Sequence, residues 1–136
     1  MTTMRTTHPA FATATPGRAL NIALWTLQVL VALTLVAAGS GKLVGSAAMI
    51  ALFDAVGIGQ WFRYVTGSLE VLGSILLLVP GTTAFGAVLL ACVMGGAVAA
   101  HLTVLHTAPT APLVLFALTA LIAWGRRSQL ADWLGW

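Results

Sequence analysis

The sequence predicts an all-α membrane protein, a four-helix transmembrane bundle with a short interfacial helix between spans one and two. Three observations predict this fold class. Apolar residues make up 60 % of the 136 residues and charged residues 7 %, whereas soluble domains carry roughly 25 % charged residues. The mean hydropathy is +1.01. The few charges leave four apolar runs, each close to the roughly 20 residues that a membrane-crossing helix needs.

Composition also limits the classes of function. Four spans of about 20 residues use most of the chain and leave no room for a separate soluble catalytic domain. The net charge is +3, but the six basic residues are scattered and lack the clustering of a nucleic-acid surface, so we expect no nucleic-acid partner. One cysteine, Cys92, excludes an internal disulfide, a CxxC redox pair and a thiolate metal cage.

The chain opens with a polar tail followed by a long apolar run. Residues 1–17 are rich in Thr, Pro and Ala without apolar periodicity, which predicts a disordered tail. Between Arg18 and Lys42 no residue is charged, and as a helix this run reaches roughly 35 Å, enough to cross a bilayer core. A cleaved signal sequence is the alternative, but the run exceeds the 7 to 15 apolar residues of such signals and more spans follow.

A short amphipathic helix and a second span come next. Residues 46–56 begin at a capping serine, repeat apolar side chains at helical spacing and precede a glycine, which predicts a helix along the membrane surface. The aromatic group at residues 61–64 is typical of a membrane boundary. From there the second span runs to Val79, where Pro80 and Gly81 end it.

Two further spans and a tail complete the predicted membrane domain, residues 18–127. The third span covers residues 83–105, and the fourth ends near Gly125. Measured from Pro112 the fourth span reaches only about 21 Å, so it must start nearer Pro109, thin the bilayer or be partly buried in protein. Residues 128–136 place apolar side chains on one helical face and predict an interfacial tail.

Four spans place both termini on one side of the membrane. That side carries four basic residues and the opposite side two, so the positive-inside rule predicts that both termini are cytoplasmic. The four are Arg5, Arg18, Arg126 and Arg127, and the two are Lys42 and Arg63.

Ionisable and polar residues of three predicted spans meet at the non-cytoplasmic side. Glu70 lies nine residues beyond Trp61 and about 13 Å deeper, and a charge within the hydrocarbon costs about 3 kcal/mol unless it finds a partner. Glu70 should therefore face the bundle. The candidate site residues are Lys42, Arg63, Thr66, Glu70 and His101. Two interpretations stay open: a structural ion-pair network that sets helix register, or a ligand or proton site.

Other features of the sequence predict packing, not chemistry. The first span repeats small and polar residues from Asn21 and Gln28 to Lys42 at three- and four-residue spacing, which is typical of a close helix contact. His101 and His106 project about 140° apart around a helix, so we expect no metal site. Asp54 on the surface helix is expected to be solvated, with an ion pair to Lys42 or Arg63 as the alternative.

Three segments resemble a known family. Residues 39–43 are GSGKL, residues 61–73 are WFRYVTGSLEVLG, and His101 lies near the end of the third span. Together they resemble the DoxX-like family of small bacterial integral membrane proteins, over residues 19–127. By position, the resemblance implies a family polar core at Lys42, Arg63, Glu70 and His101.

The resemblance also implies a location in the bacterial cytoplasmic (inner) membrane and an association with respiratory or sulfur-linked redox complexes near quinone chemistry. We therefore expect a redox-associated membrane subunit that binds a quinone-like or other small amphipathic ligand, with no covalently bound cofactor. Lys42, Arg63 or His101 would donate to a ligand oxygen, and Glu70 would accept or relay a proton. Whether the chain itself catalyses a reaction stays open. Because it lacks a cysteine pair or haem ligands that would move electrons unaided, an accessory subunit of a membrane oxidoreductase system is favoured over an enzyme.

Two other functions remain as alternatives. A small proton-coupled transporter also carries carboxylates within the membrane. A membrane scaffold would recruit a partner enzyme through the surface helix around Phe53 or through the Trp-bearing tail. The expected partners are the lipid bilayer and a soluble or membrane oxidoreductase, with a second copy of the chain as a further alternative.

Overall fold

The computed structural model describes residues 17–136, and this part of the chain contains six α-helices and no strands. In order they are α1 (Arg18–Val44), α2 (Ala47–Val56), α3 (Gln60–Leu78), α4 (Thr83–Thr103), α5 (Thr110–Gly125) and α6 (Arg127–Leu134). The all-α prediction is confirmed. The predicted disordered tail lies outside the described residues, apart from Gly17.

Two of the helices, α1 and α4, are long and apolar enough to cross a membrane. They contain 27 and 21 residues, which correspond to about 40 and 32 Å at 1.5 Å per residue. α3 contains 19 residues and α5 only 16. α5 begins at Thr110, directly after Pro109, as the first of the three alternatives for the short fourth span required. Its 16 residues correspond to about 24 Å, so bilayer thinning and burial in protein stay open for this helix.

α1, α3, α4 and α5 pack side by side, with α1 on α3, α3 on α4, α4 on α5 and α5 back on α1. Their shared core consists of apolar side chains from all four helices. Its members are Val31, Ala32, Leu35, Leu77, Ala87, Leu90, Met94 and Ile122. Large apolar side chains on the outward faces, such as Leu33 and Ile75, are more than half exposed. Apolar groups outside and polar groups such as Gln28 and Glu70 inside are what a lipid-solvated protein requires.

Glycines set the closest helix contacts. A Cβ added to Gly39 of α1 would lie 2.8 Å from the carbonyl oxygen of Gly67 on α3. A Cβ added to Gly86 of α4 would lie 2.6 Å from the backbone nitrogen of Leu77 and 2.7 Å from the carbonyl oxygen of Gly73 on α3. Since lipid offers helices no hydrophobic drive to associate, such backbone approach supplies the packing that holds them together.

The two short helices cover opposite ends of this arrangement. α2 lies at the end that contains Lys42, hereafter the Lys42 end, and packs on α3 with the rings of Phe53 and Phe62 6.0 Å apart, edge to face. α6 lies at the other end, hereafter the Arg126 end, and packs on α4 with the rings of Phe85 and Trp133 5.8 Å apart. A short helix between the first two long ones was predicted, and the structure confirms it.

Candidate functional site

An ion pair inside the protein joins α1 to α3. The Lys42 ammonium lies 2.8 Å from both carboxylate oxygens of Glu70. The Glu70 side chain is 2 % exposed and that of Lys42 15 %. Glu70 thus faces protein, and its partner is the lysine of the first long helix.

The glycine contact between α1 and α3 positions this ion pair. A Cβ on Gly67 would lie 3.0 Å from the Cβ of Lys42, and a Cβ on Gly39 would lie 3.1 Å from the Cβ of Glu70. Each charged residue therefore packs over the glycine of the opposite helix. Because both glycines lack side chains, the two backbones approach closely enough for the short Glu70 side chain to meet Lys42.

Arg63 is buried, at 4 % exposure, and is bound to the protein itself. Its guanidinium donates to the backbone carbonyl of Lys42 and to the side-chain oxygen of Gln60, the latter at 2.7 Å, and it lies over the ring of Tyr64 at 4.4 Å. A cation at the last carbonyls of α1 stabilises the negative end of the helix dipole. The structure places Arg63 at the end of α1 rather than on a cavity wall.

Gly45 makes room for this arginine. It ends α1 in the left-handed conformation, with φ +77°, and a Cβ there would lie 3.1 Å from a terminal nitrogen of Arg63. Glycine alone therefore satisfies both the turn and the contact.

A cavity of about 560 Å³ adjoins the ion pair. Four of the five candidate residues line it: Lys42, Thr66, Glu70 and His101. The remaining walls are apolar and come from all of the first five helices, with Met49, Leu52, Phe53 and Val56 of α2 on one side. Small-molecule sites have volumes of about 300–1,000 Å³, apolar walls and a few polar groups, and this cavity fits that description.

The two weaker polar groups of the cavity bond locally. The Thr66 hydroxyl lies 3.1 and 3.2 Å from the carbonyl oxygens of Phe62 and Arg63 in its own helix. Nδ1 of His101 lies 2.7 Å from the hydroxyl of Thr107 in the following loop. The structure thus brings His101 to the same cavity as the ion pair, while its hydrogen bond goes to Thr107.

A second polar cluster, at the Arg126 end, was not predicted as a unit. Arg126 donates to the side-chain oxygens of Gln28 at 2.9 Å and Asn21 at 2.7 Å, and Gln28 donates to the carbonyl of Leu77 at 3.2 Å. Gln28 is fully buried. The sequence carried a signal for this cluster. Asn21 and Gln28 lie seven residues apart on one face of α1, at the level of Arg126 at the end of α5.

Asp54 lies outside the cavity and is linked to Arg63 through the side chain of Gln60. Asp54 is exposed and accepts a hydrogen bond from Gln60 at 2.7 Å. Within residues 17–136, no group of three or more His, Cys, Asp or Glu side chains is placed to hold a metal ion.

No curated protein and no solved structure matches the chain. The family model of the DoxX-like family matches residues 26–123, a range that contains all five candidate residues and runs from α1 into α5. The resemblance seen in the sequence is thereby confirmed, and the chain belongs to the DoxX-like family.

Proposed function

We propose that this chain is a four-span bacterial inner-membrane protein and an accessory subunit of a membrane oxidoreductase system, in which the cavity at the Lys42 end binds a quinone-like or other small amphipathic ligand. One observation carries the proposal: an apolar cavity of about 560 Å³ has a buried Lys42–Glu70 ion pair in its wall. Membership of the DoxX-like family supports the membrane location.

The chemistry of the ion pair suits a ligand that carries a carbonyl or hydroxyl group. An ammonium has three N–H donors, and Glu70 accepts two of those of Lys42. The third is available to a ligand oxygen, and a cation at a carbonyl oxygen stabilises negative charge that develops there in a low-dielectric site. Glu70, an acceptor at the same point, would take a hydrogen bond or a proton from a ligand hydroxyl.

The proposed topology places α1, α3, α4 and α5 across the bilayer and both termini in the cytoplasm. Lys42 and Arg63 are engaged inside the protein, whereas Arg18 and Arg127 at the Arg126 end are exposed. This distribution of exposed positive charge favours a cytoplasmic Arg126 end. A fluorescent protein fused after Trp136 should fold and fluoresce, and alkaline phosphatase at the same point should be inactive; the reverse result would contradict the topology.

Ligand binding can be tested with purified protein in nanodiscs. We expect a decyl-benzoquinone to bind the wild type, and Glu70→Gln to lower the affinity because it removes the carboxylate from the cavity wall. The matched control is Asp54→Asn, which neutralises an exposed carboxylate outside the cavity. Equal dissociation constants for wild type and Glu70→Gln, measured by calorimetry, would remove the proposed role of Glu70.

A double variant separates folding from binding. Replacing a buried ion pair with apolar side chains of similar volume is often neutral or stabilising, so Lys42→Met with Glu70→Met should fold and lose the ligand. A folded double variant with wild-type affinity would contradict binding at the ion pair.

Transport is less well supported by the geometry. The cavity lies at the Lys42 end, and the core that includes Leu35, Leu77 and Leu90 separates it from the Arg126 cluster. Proteoliposome uptake that depends on a pH gradient and on Glu70 would reverse this preference.

A further inference from the structure

α3 and α4 are in close contact at one level and both line the cavity at the Lys42 end. Their backbones come close at Gly86, whose added Cβ would lie under 3 Å from backbone atoms of Gly73 and Leu77. Beyond this contact the cavity occupies the space between the two helices, where it is lined by α3 residues 62–70 and α4 residues 89–101.

The end of the cavity is covered by α2. Four of its side chains line the cavity, and one of them, Phe53, is 5 % exposed and packs edge to face on Phe62 of α3. In the proposed topology this end faces the water outside the cell. An apolar helix thus lies between the cavity and that water.

The side of the cavity is open instead. Three residues that line it are among the exposed residues of the chain: Val65 of α3, which is 42 % exposed, and Cys92 and Gly96 of α4. Cys92 also lines the groove between α4 and α5. A Cβ added to Gly96 would meet no atom within 4 Å. Leu72, two turns beyond Val65 on α3, is apolar and 49 % exposed. This opening therefore faces the hydrocarbon of the bilayer.

We infer that the ligand enters sideways from the lipid, through the gap between α3 and α4 whose rim is Val65, Cys92 and Gly96, and leaves its apolar tail in that gap. This route rests on the proposed function and adds the source of the ligand, a lipophile dissolved in the membrane. The polar head would reach Lys42 and Glu70, where hydrogen bonds compensate the loss of interfacial water. The tail would stay in contact with lipid and would not need a pocket of its own.

The route predicts that a bulky side chain on the rim slows binding. Gly96→Phe fills the gap from a position where the structure has free space, so the variant should fold. Val88→Phe is the control, because Val88 is exposed on the same helix but faces the groove towards α5, outside the cavity. Tritiated decyl-benzoquinone binding to nanodisc-embedded protein would be followed by scintillation proximity, with the Lys42→Met, Glu70→Met double variant as the background.

We expect Gly96→Phe to lower the association rate on the order of tenfold, because binding must then wait for the phenyl ring to move, and Val88→Phe to leave it unchanged. Val65→Phe, on the opposite rim, should have the same effect as Gly96→Phe and covers the case in which one variant fails to fold. Wild-type association rates in folded Gly96→Phe and Val65→Phe would overturn the lateral route while ligand binding stands. No binding to the wild type above background would overturn the proposed function and the route together.

Discussion

Gly39 on α1 and Gly67 on α3 face each other so closely that a Cβ on either would lie 2.8 to 3.0 Å from the carbonyl oxygen of the other. Lys42 and Glu70 pack over these two glycines and form the ion pair of the cavity wall. The glycine contact therefore positions the ion pair of the candidate site, and a substitution at either glycine should also change the geometry of the ion pair.

Adding a methyl group at this contact should destabilise the protein. Gly39→Ala and Gly67→Ala must push α1 and α3 apart, and overpacking of this kind costs about 1–3 kcal/mol. Gly41→Ala is the control, because a Cβ there meets no atom within 4 Å. Thermal unfolding in detergent should show lower midpoints for the first two variants and an unchanged or higher one for the third. Equal midpoints for all three would contradict the tight contact.

Replacing one residue of the ion pair should lower the free energy of unfolding more than replacing both. Lys42→Met leaves the Glu70 carboxylate buried without its cation, and the loss of one partner of a buried pair costs about 3–5 kcal/mol. The double variant Lys42→Met, Glu70→Met leaves no buried charge and should recover most of that loss. A double-mutant cycle from chemical unfolding measures the difference. Additive effects of the two single changes would show that the pair is not coupled.

The hydrogen bonds of Arg126 at the other end of the protein should also contribute to the free energy of unfolding. Arg126→Ala removes the donors to Gln28 and Asn21, and an unsatisfied buried amide costs about 1–3 kcal/mol. Its neighbour Arg127 is exposed and donates to the carbonyl of Trp124 in its own turn, so Arg127→Ala should change the free energy of unfolding by less than about 0.5 kcal/mol. Equal losses in the two variants would contradict the role assigned to Arg126.

Two glycines with the same backbone conformation allow the Arg63 contact to be measured. Gly45 and Gly57 end α1 and α2 with φ of +77° and +79°, and an alanine at either position costs roughly 1–2 kcal/mol in the left-handed region. Only at Gly45 does the added Cβ meet a neighbour, the Arg63 guanidinium at 3.1 Å. Gly45→Ala should therefore unfold at a lower temperature than Gly57→Ala. The reverse order would show that the Arg63 guanidinium moves aside without lowering the free energy of unfolding.

The helices themselves follow from local features of the sequence. Hydropathy, glycine and proline predict α1 to α5 within a few residues, because the length of an apolar run and the chemistry of its ends act over one or two turns. α5 is an example: its run is short from Pro112, and the helix gains its extra residues by starting at Thr110. The common depth of Lys42, Glu70 and His101 along the helices also follows from the sequence, because the rise per residue of a helix sets how far each lies from the end of its helix.

The partners of these residues were decided by the tertiary structure. Glu70 pairs with Lys42, His101 turns to Thr107, and Arg63 binds the backbone at the end of α1, although the sequence allowed each of them several partners at that level. Arg126, which the sequence places among the basic residues of the cytoplasmic side, also joins α1 to the end of α5 through Gln28 and Asn21. A side chain's depth depends on its own helix, but its partner depends on how far that helix is rotated and tilted against the next. Contacts between residues far apart in the sequence, such as Gly39 with Gly67 and Gly73 with Gly86, set those angles.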